Sequence, residues 1–388
     1  MSDAARLLLV DDDARILEGL DNLLFDRLGE WELTSAVGGE AALARLASDE
    51  RFDILITDMR MPVVDGLEVL RYAAAHRPEV MRIVLSGHAE LDKAMQALAI
   101  GHQYLAKPCD EATLVAAIER SLRLQRAVVD PELRAKAGRL DDVTPRAVVL
   151  GELRRALAAP SASIDAVARL AARDVGLVAR LLRVASWCDG ATGQVPSLSA
   201  AVHRIGLDGV TALTIALAAA APPPDPDREL RARSEQHALQ LGWLAGALCD
   251  DAEAAALASL CGLMHGLGPL ALATHVPARL RQCQTPSDPP LHAIDRERRA
   301  LSIDHAELGA QILELWQLTT LAQVIRHHHR PSGLAMRVEW QAPLAALHLA
   351  DAALGAGEDD LDHPFVRSLG PAGEIAWSRA QRLRQELG

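Results

Sequence analysis

Lysine is nearly absent from this 388-residue chain, occurring only at Lys93, Lys107 and Lys136, while arginine is spread throughout. An excess of positive charge is lacking too: the formal net charge is -12 and the pI is near 5.6. That argues against a broad nucleic-acid footprint, because binding phosphate backbones takes clustered cations that release counterions. Aromatic residues make up only 3% of the chain, which disfavours sandwiches built on large rings. Cysteine is sparse as well. Cys109, Cys188, Cys249, Cys261 and Cys283 lie far apart with no CxxC pair, which excludes a disulfide framework or zinc knuckle and predicts reduced, mostly buried thiols. At the N-terminus, "MSDAARLLLVDDD" has a short apolar run that meets aspartates at once, too short for a signal peptide or a spanning helix. A cytoplasmic protein without a membrane partner is the expectation.

What is present is half hydrophobic and rich in Ala, Leu and Arg, a composition that favours helices packed through small aliphatic side chains. The length implies two or three compact units. From residue 6 to about 126, the runs "RLLLV", "WELTSAV", "FDILITD", "MRIVLS" and "HQYLAKP" alternate with amphipathic segments such as Asp13 to Leu28 and Gly66 to Ala75. Strand–helix alternation of this kind implies a doubly wound parallel sheet, an α/β flavodoxin-like domain over 1–126. Residues 127–145 turn charged and unpatterned and read as a linker. Strand signals almost vanish afterwards, so 146–388 reads as an all-α domain with its core at about 146–352. Four prolines within 218–229 break it into two helical halves.

In an open parallel sheet, ligands sit beyond the carboxyl ends of the strands. Those positions hold Asp11 and Asp12 after the first strand, Asp58 after the third, Ser86 after the fourth and Lys107 after the fifth. Three converging carboxylates are costly unless a hard cation shares them, and an all-oxygen set suits Mg²⁺. Asp58 could then act as a nucleophile toward a phosphoryl group. Lys107 stands out because arginine is the default cation of this chain. A compact ammonium suits a point contact with phosphate, and Pro108 sets a rigid turn that presents it.

The motifs "LLLVDDD", "ILITDMRMPVVDG", "IVLSGHAE" and "YLAKP", in order and spacing, resemble those of response-regulator receiver domains. The resemblance implies that Asp58 is the phosphoacceptor, that Asp11, Asp12 and Asp58 hold Mg²⁺, that Ser86 and Lys107 contact the phosphoryl group, and that Tyr104 is an aromatic switch. It also implies a sensor histidine kinase as donor. The fourth helix, fifth strand and fifth helix, about Glu90 to Arg126, would be the face for dimerisation or partner binding.

After Pro145 histidines recur: His237, His265 in "CGLMHGLG", His305, then His327, His328 and His329 in "IRHHHRP", followed by Asp351. Imidazoles and a carboxylate spread over several helices could converge on iron, manganese or zinc. Their order resembles the HD superfamily of metal-dependent phosphohydrolases, and the spacing across about 146–352 looks like its HDOD branch. Two features of active relatives are missing: Gly266 stands where the superfamily has its metal-binding aspartate, and no Gly-Tyr-Pro signature follows the histidine pair, the only tyrosines being Tyr72 and Tyr104. Ser186-Trp187 and Asp174-Val175 also depart from the HDOD pattern. The resemblance therefore implies a non-catalytic domain that acts on a downstream protein partner, with no metal expected in it. His237, His265, His305, His328, His329 and Asp351 would be a vestigial site, with His265 hydrogen-bonded in a polar pocket. The alternative is a phosphodiesterase of a cyclic dinucleotide.

Overall fold

The computed structural model describes residues 4–25, 30–87, 95–97, 100–188, 195–219, 227–284, 293–333, 338–355 and 357–387. The N-terminal domain is built on a five-stranded parallel sheet in the order β2-β1-β3-β4-β5, comprising β1 (Ala5–Asp11), β2 (Trp31–Val37), β3 (Ile54–Asp58), β4 (Met81–Ser86) and β5 (Gln103–Ala106). Strands β1, β3 and β4 are apolar on both faces because helices cover both, as a parallel sheet requires. The covering helices include α1 (Ala14–Leu23), α2 (Gly39–Ala47), α3 (Gly66–His76) and α4 (Glu111–Ala127). The first starts at Ala14 because the Asp13 carboxylate accepts from Arg15 N–H and caps the helix. Much of the segment expected to form the exposed partner face, Glu90 to Ala94 and residues 98–99, lies outside the described residues.

The stretch read as a linker is packed. It folds into α5 (Pro131–Arg134) and a 3₁₀ turn (Ala137–Arg139), with Leu133, Ala137, Leu140 and Asp141 all buried. Its charged composition concealed this, because Asp141 is buried against Arg183 rather than hydrated, and the partly exposed Asp142 pairs with the buried Arg180.

Beyond it, all regular structure among the described residues is helical, as the loss of strand signals predicts. Helices α6 (Ala147–Ala158), α7 (Ile164–Ala171), α8 (Val175–Cys188) and α9 (Leu198–Ala219) form the first half. The second half comprises α10 (Arg228–Leu248), α11 (Ala252–His265), α12 (Leu267–His275), α13 (Pro277–Gln284), α14 (Ala293–Leu301), α15 (His305–Leu315), α16 (Thr319–His327), α17 (Val338–Leu354), α18 (His363–Ser368) and α19 (Pro371–Leu387). The proline break at 220–226 lies outside the described residues. Two apolar helical stretches, Leu198–Ala219 and Ala252–His275, have membrane-spanning length, but the second is the centre of the core, 72% of its most apolar window being buried. Leu308, Ile312, Leu315 and Trp316 form the buried face expected of α15. One apolar core runs from the sheet face carrying Leu7, Leu9, Ile54, Ile56 and Ile83 through α4 into the helical domain, where α4 packs on α15. The cysteines are free, as expected, but only Cys261 and Cys283 are buried and Cys188 is exposed.

Candidate phosphoacceptor site and histidine cage

Parallel register brings the acidic residues of the N-terminal domain together. Val10 pairs with Thr57, Asp58 with Leu85 and Ser86 with Ala106, so Asp11, Asp58, Ser86 and Lys107 end neighbouring strands on one edge of the sheet. This edge lies where the strand order reverses around β1 and β3. Lys107 Nζ donates to Asp11 Oδ2 and to Asp58 Oδ1, each at 2.6 Å. The other oxygen of Asp11 accepts from Asp13 N–H at 3.0 Å, and that of Asp58 from Arg60 N–H. Burial alone would lower the pKa of Lys107, but the Asp11 and Asp58 carboxylates outweigh it and hold the pKa above the ordinary lysine value. A single ammonium thus bridges two buried carboxylates, with Asp12 exposed beside them. Such an acid-rich, all-oxygen edge fits Mg²⁺, which Asp11, Asp12 and Asp58 would hold and which would neutralise charge there. The Lys107–Pro108 peptide is cis. Gly66 is required locally, since a Cβ at that position would lie 2.0 Å from the Asp58 carbonyl oxygen.

The six histidine and aspartate positions expected to be vestigial are brought together, from α10, α11, α15, α16 with the residues just after it, and α17. His265 is central and only 3% exposed, its ring centroid 5.4 Å from that of His237, 5.1 Å from His305, 4.8 Å from His328 and 6.3 Å from His329. The expectation that His265 is hydrogen-bonded is wrong: among the described residues neither ring nitrogen has a partner, because imidazole edges rather than backbone carbonyls surround it. Leaving such a group unpaired costs roughly 1–3 kcal/mol. Burial first, then the neighbouring His328, keep its pKa well below the ordinary imidazole value.

Around it, hydrogen bonds fix orientations. Glu297 Oε2 takes His305 Nδ1 at 2.7 Å, and His305 Nε2 faces His329 Nε2 at 2.9 Å. Burial alone would lower the pKa of His305, but the Glu297 carboxylate outweighs it and lifts it to about 9. His328 Nδ1 donates to Ile325 O at 2.6 Å, while its Nε2 stops 3.5 Å from Asp351 Oδ2, too long for a good hydrogen bond. His237 Nε2 lies 3.1 Å from Asp351 Oδ1. Sequence reasoning missed Glu297 and also His348, whose Nδ1 donates to His328 O at 2.7 Å. His348 could have been found, three residues before Asp351 on the same helix face. Glu297, on a different helix from its partner, gave no signal. The cage borders a cavity of about 650 Å³ that Arg233 and Arg330 also line.

A third cluster, also unanticipated, joins the domains. His102 Nδ1 accepts from Arg82 N–H at 2.7 Å, which leaves Nε2 to donate to Gly138 O at 2.9 Å, with Asp141 Oδ1 at 3.4 Å. Arg183 on α8 donates to Asp141 Oδ2 at 2.7 Å, Arg180 pairs with Asp142, and Arg82 Nη2 reaches Gly138 O at 2.9 Å.

An acidic strand-end edge on a doubly wound sheet, docked on a helical domain, defines a two-domain protein. Residues 7–119 match the response regulator receiver domain and residues 144–331 match the HDOD domain, so the chain carries a receiver domain followed by an HDOD domain. Transcriptional regulatory protein PrrA of Mycobacterium tuberculosis is 39% identical over 119 residues, 30% of this chain and 50% of that protein. An uncharacterized protein of Treponema pallidum is 29% identical over 201 residues, 50% of this chain and 39% of that protein. The chain thus spans half or less of the length of these relatives. The solved receiver domain of an HD domain-containing protein from Pseudomonas fluorescens Pf-5 is 30% identical, covering 32% of this chain and 98% of that one, with a TM-score of 0.30. Proteins with this receiver domain are response regulators of two-component systems, which in general are partnered by a sensor histidine kinase.

Proposed function

We propose that this protein is a cytoplasmic response regulator in which phosphorylation of Asp58 by a sensor histidine kinase controls the HDOD domain, a non-catalytic output that binds a downstream protein. The observation that carries the reading is the Lys107 ammonium spanning Asp11 and Asp58. An Asp58 oxygen attacks the donor phosphorus, the P–N bond to the kinase imidazole breaks, and the imidazole leaves with the electron pair. Asp11, Asp12 and the product would hold Mg²⁺, while Lys107 exchanges its contact with Asp58 for one with the new phosphoryl oxygens. Ser86, at the end of the adjacent strand, takes another. Half-buried Tyr104 on β5 would follow Ser86 as the aromatic switch. The route onward is supported by the packing of α4 on α15 and by the buried Arg82–His102–Asp141–Arg183 cluster, since each joins receiver elements directly to HDOD helices. Labelling with a small phosphodonor and Mg²⁺ tests the reading: the wild type acquires one acid-labile phosphoryl group and Asp58→Asn none, and equal labelling overturns it. A pull-down comparing the two phosphorylation states would identify the partner and show whether the chain pairs with itself.

A second reading, hydrolysis of a cyclic dinucleotide by the HDOD domain, is favoured by the convergence of His237, His265, His305, His328, His329 and Asp351. Gly266 and the missing Gly-Tyr-Pro signature count against it. Turnover of cyclic di-guanylate that Asp351→Asn abolishes would establish it over the first.

A further inference from the structure

The histidine cage has a chemistry of its own whether or not the domain hydrolyses anything. One ligand atom each from His265, His305, His328 and His329 lies within 4.8 Å of the others, and the same holds for His237, His265 and Asp351. His265 belongs to both groups, and it is the side chain with two unpartnered ring nitrogens. The neighbours orient the cage inward: Ile325 O occupies His328 Nδ1 and Glu297 occupies His305 Nδ1, so that each ring presents Nε2 to the centre. Carboxylate- and carbonyl-anchored imidazoles of this kind are how metal-binding histidines are held. A hydrophobic or merely packed cluster would not need them. Several imidazoles with one carboxylate make a borderline donor set, suited to zinc, ferrous iron, cobalt or nickel rather than to Mg²⁺ or Ca²⁺.

The cage also limits the number of ions. Asp351 is the only carboxylate in either group, and Glu297 stands behind His305. The position beside His265 is closed to a further carboxylate, because a Cβ on Gly266 would lie 2.7 Å from Ala238 Cβ, 3.2 Å from Leu263 O and 3.3 Å from Val175 Cγ1. Helices α8 and α10 have filled the space that a second anionic ligand would need, and a second divalent cation would lack compensating charge. We propose that the cage is a centre for a single divalent transition-metal ion, with His265 as innermost ligand, His305, His328, His329 and Asp351 around it, and Glu297 as the positioning residue that orients His305. This departs from the expectation, drawn from Gly266, that the domain holds no ion.

The test uses the full chain, stripped with a chelator and titrated with Co²⁺ while the visible ligand-field band is followed. The expected result is saturation at about one equivalent, displacement by Zn²⁺ but not by millimolar Mg²⁺, and loss of the band in His265→Ala. Glu297→Gln keeps the stoichiometry and weakens affinity roughly 10–100-fold, as loss of an outer-shell partner does. Asp58→Asn, which silences the receiver, titrates as wild type, so failure of the receiver reading leaves this result untouched. If His265→Ala does not fold by circular dichroism, Asp351→Asn and Glu297→Gln carry the test. No band in the wild type, saturation at two equivalents, or unaltered affinity in both of those variants overturns the proposal.

Discussion

Replacing Asp141 by Asn should cost this protein far more than its place in an apparent linker suggests. The Asp141 carboxylate is 3% exposed and accepts from Arg183 Nη1 at 2.7 Å, with His102 Nε2 3.4 Å away. Its pKa is held well below the usual carboxylate range: burial alone would raise it, but His102 and Arg183 outweigh that. Without the charge, the Arg183 guanidinium loses that partner while it stays buried, and burial, then Arg180, already push its pKa down to about 10. Breaking a buried pair by removing one partner costs about 3–5 kcal/mol. The isosteric amide keeps one hydrogen bond, and Asp142 offsets part of the charge, so the lower end, about 3 kcal/mol, is expected. That is a large share of a typical stability of roughly 5–15 kcal/mol. Trp187 and Trp316 lie 5.5 and 5.8 Å from the Arg183 guanidinium and report its surroundings. Urea unfolding followed by tryptophan fluorescence therefore reads the effect directly. As a control, Glu50→Gln breaks an exposed pair with Arg45 and should cost less than about 1 kcal/mol. If Asp141→Asn and Glu50→Gln cost the same, the account of the junction as a buried ionic joint is refuted.

Acidification should loosen the same junction. Burial, then Arg82, hold the pKa of His102 below the ordinary imidazole value, and burial does the same to His275. The unfolded chain takes up a proton near pH 6.5 that the folded chain refuses. Stability is therefore present above that pH and is lost as pH falls below it, by up to about 1.4 kcal/mol per unit for each group. Urea midpoints measured from pH 7 to 5 should fall, and less steeply in His102→Asn; a flat profile contradicts this. Gly266→Ala should destabilise by about 1–3 kcal/mol, because its methyl meets Ala238, and Gly266→Asp by more without gaining a second ion. Thermal unfolding and Co²⁺ stoichiometry check both, and a stable two-ion Gly266→Asp variant would be the contrary result. Because α15 carries His305 at one end and packs on α4, Asp58 phosphorylation and ion binding should be linked, each changing the other's equilibrium by the same factor. Co²⁺ titration with and without beryllofluoride measures that factor, and identical curves mean no linkage.

The receiver was legible because its chemistry is local to strand ends. Motif order alone places Asp11, Asp58, Ser86 and Lys107, and parallel register does the rest. The helical fold was legible from apolar spacing, as α15 illustrates. The histidine positions could be named from their order, but their condition could not: His265 lacks partners only because four other rings surround it, a fact of three-dimensional packing. The junction was invisible for a related reason. Asp141, His102 and Arg183 are far apart in sequence, and charge in a short connecting segment reads as solvation unless a buried partner is known. Gly266 speaks only to one carboxylate position and says nothing of the imidazoles gathered around it.

The central claim is that charge placed on Asp58 is felt by the HDOD domain through α4 and the Asp141 junction. Hydrogen–deuterium exchange on the full chain, with and without beryllofluoride and Mg²⁺, tests it most directly. The account predicts altered protection in peptides from α15 and from residues 137–142 as well as around Asp58, all absent in Asp58→Asn. A change confined to the receiver, or one that persists in Asp58→Asn, would contradict it.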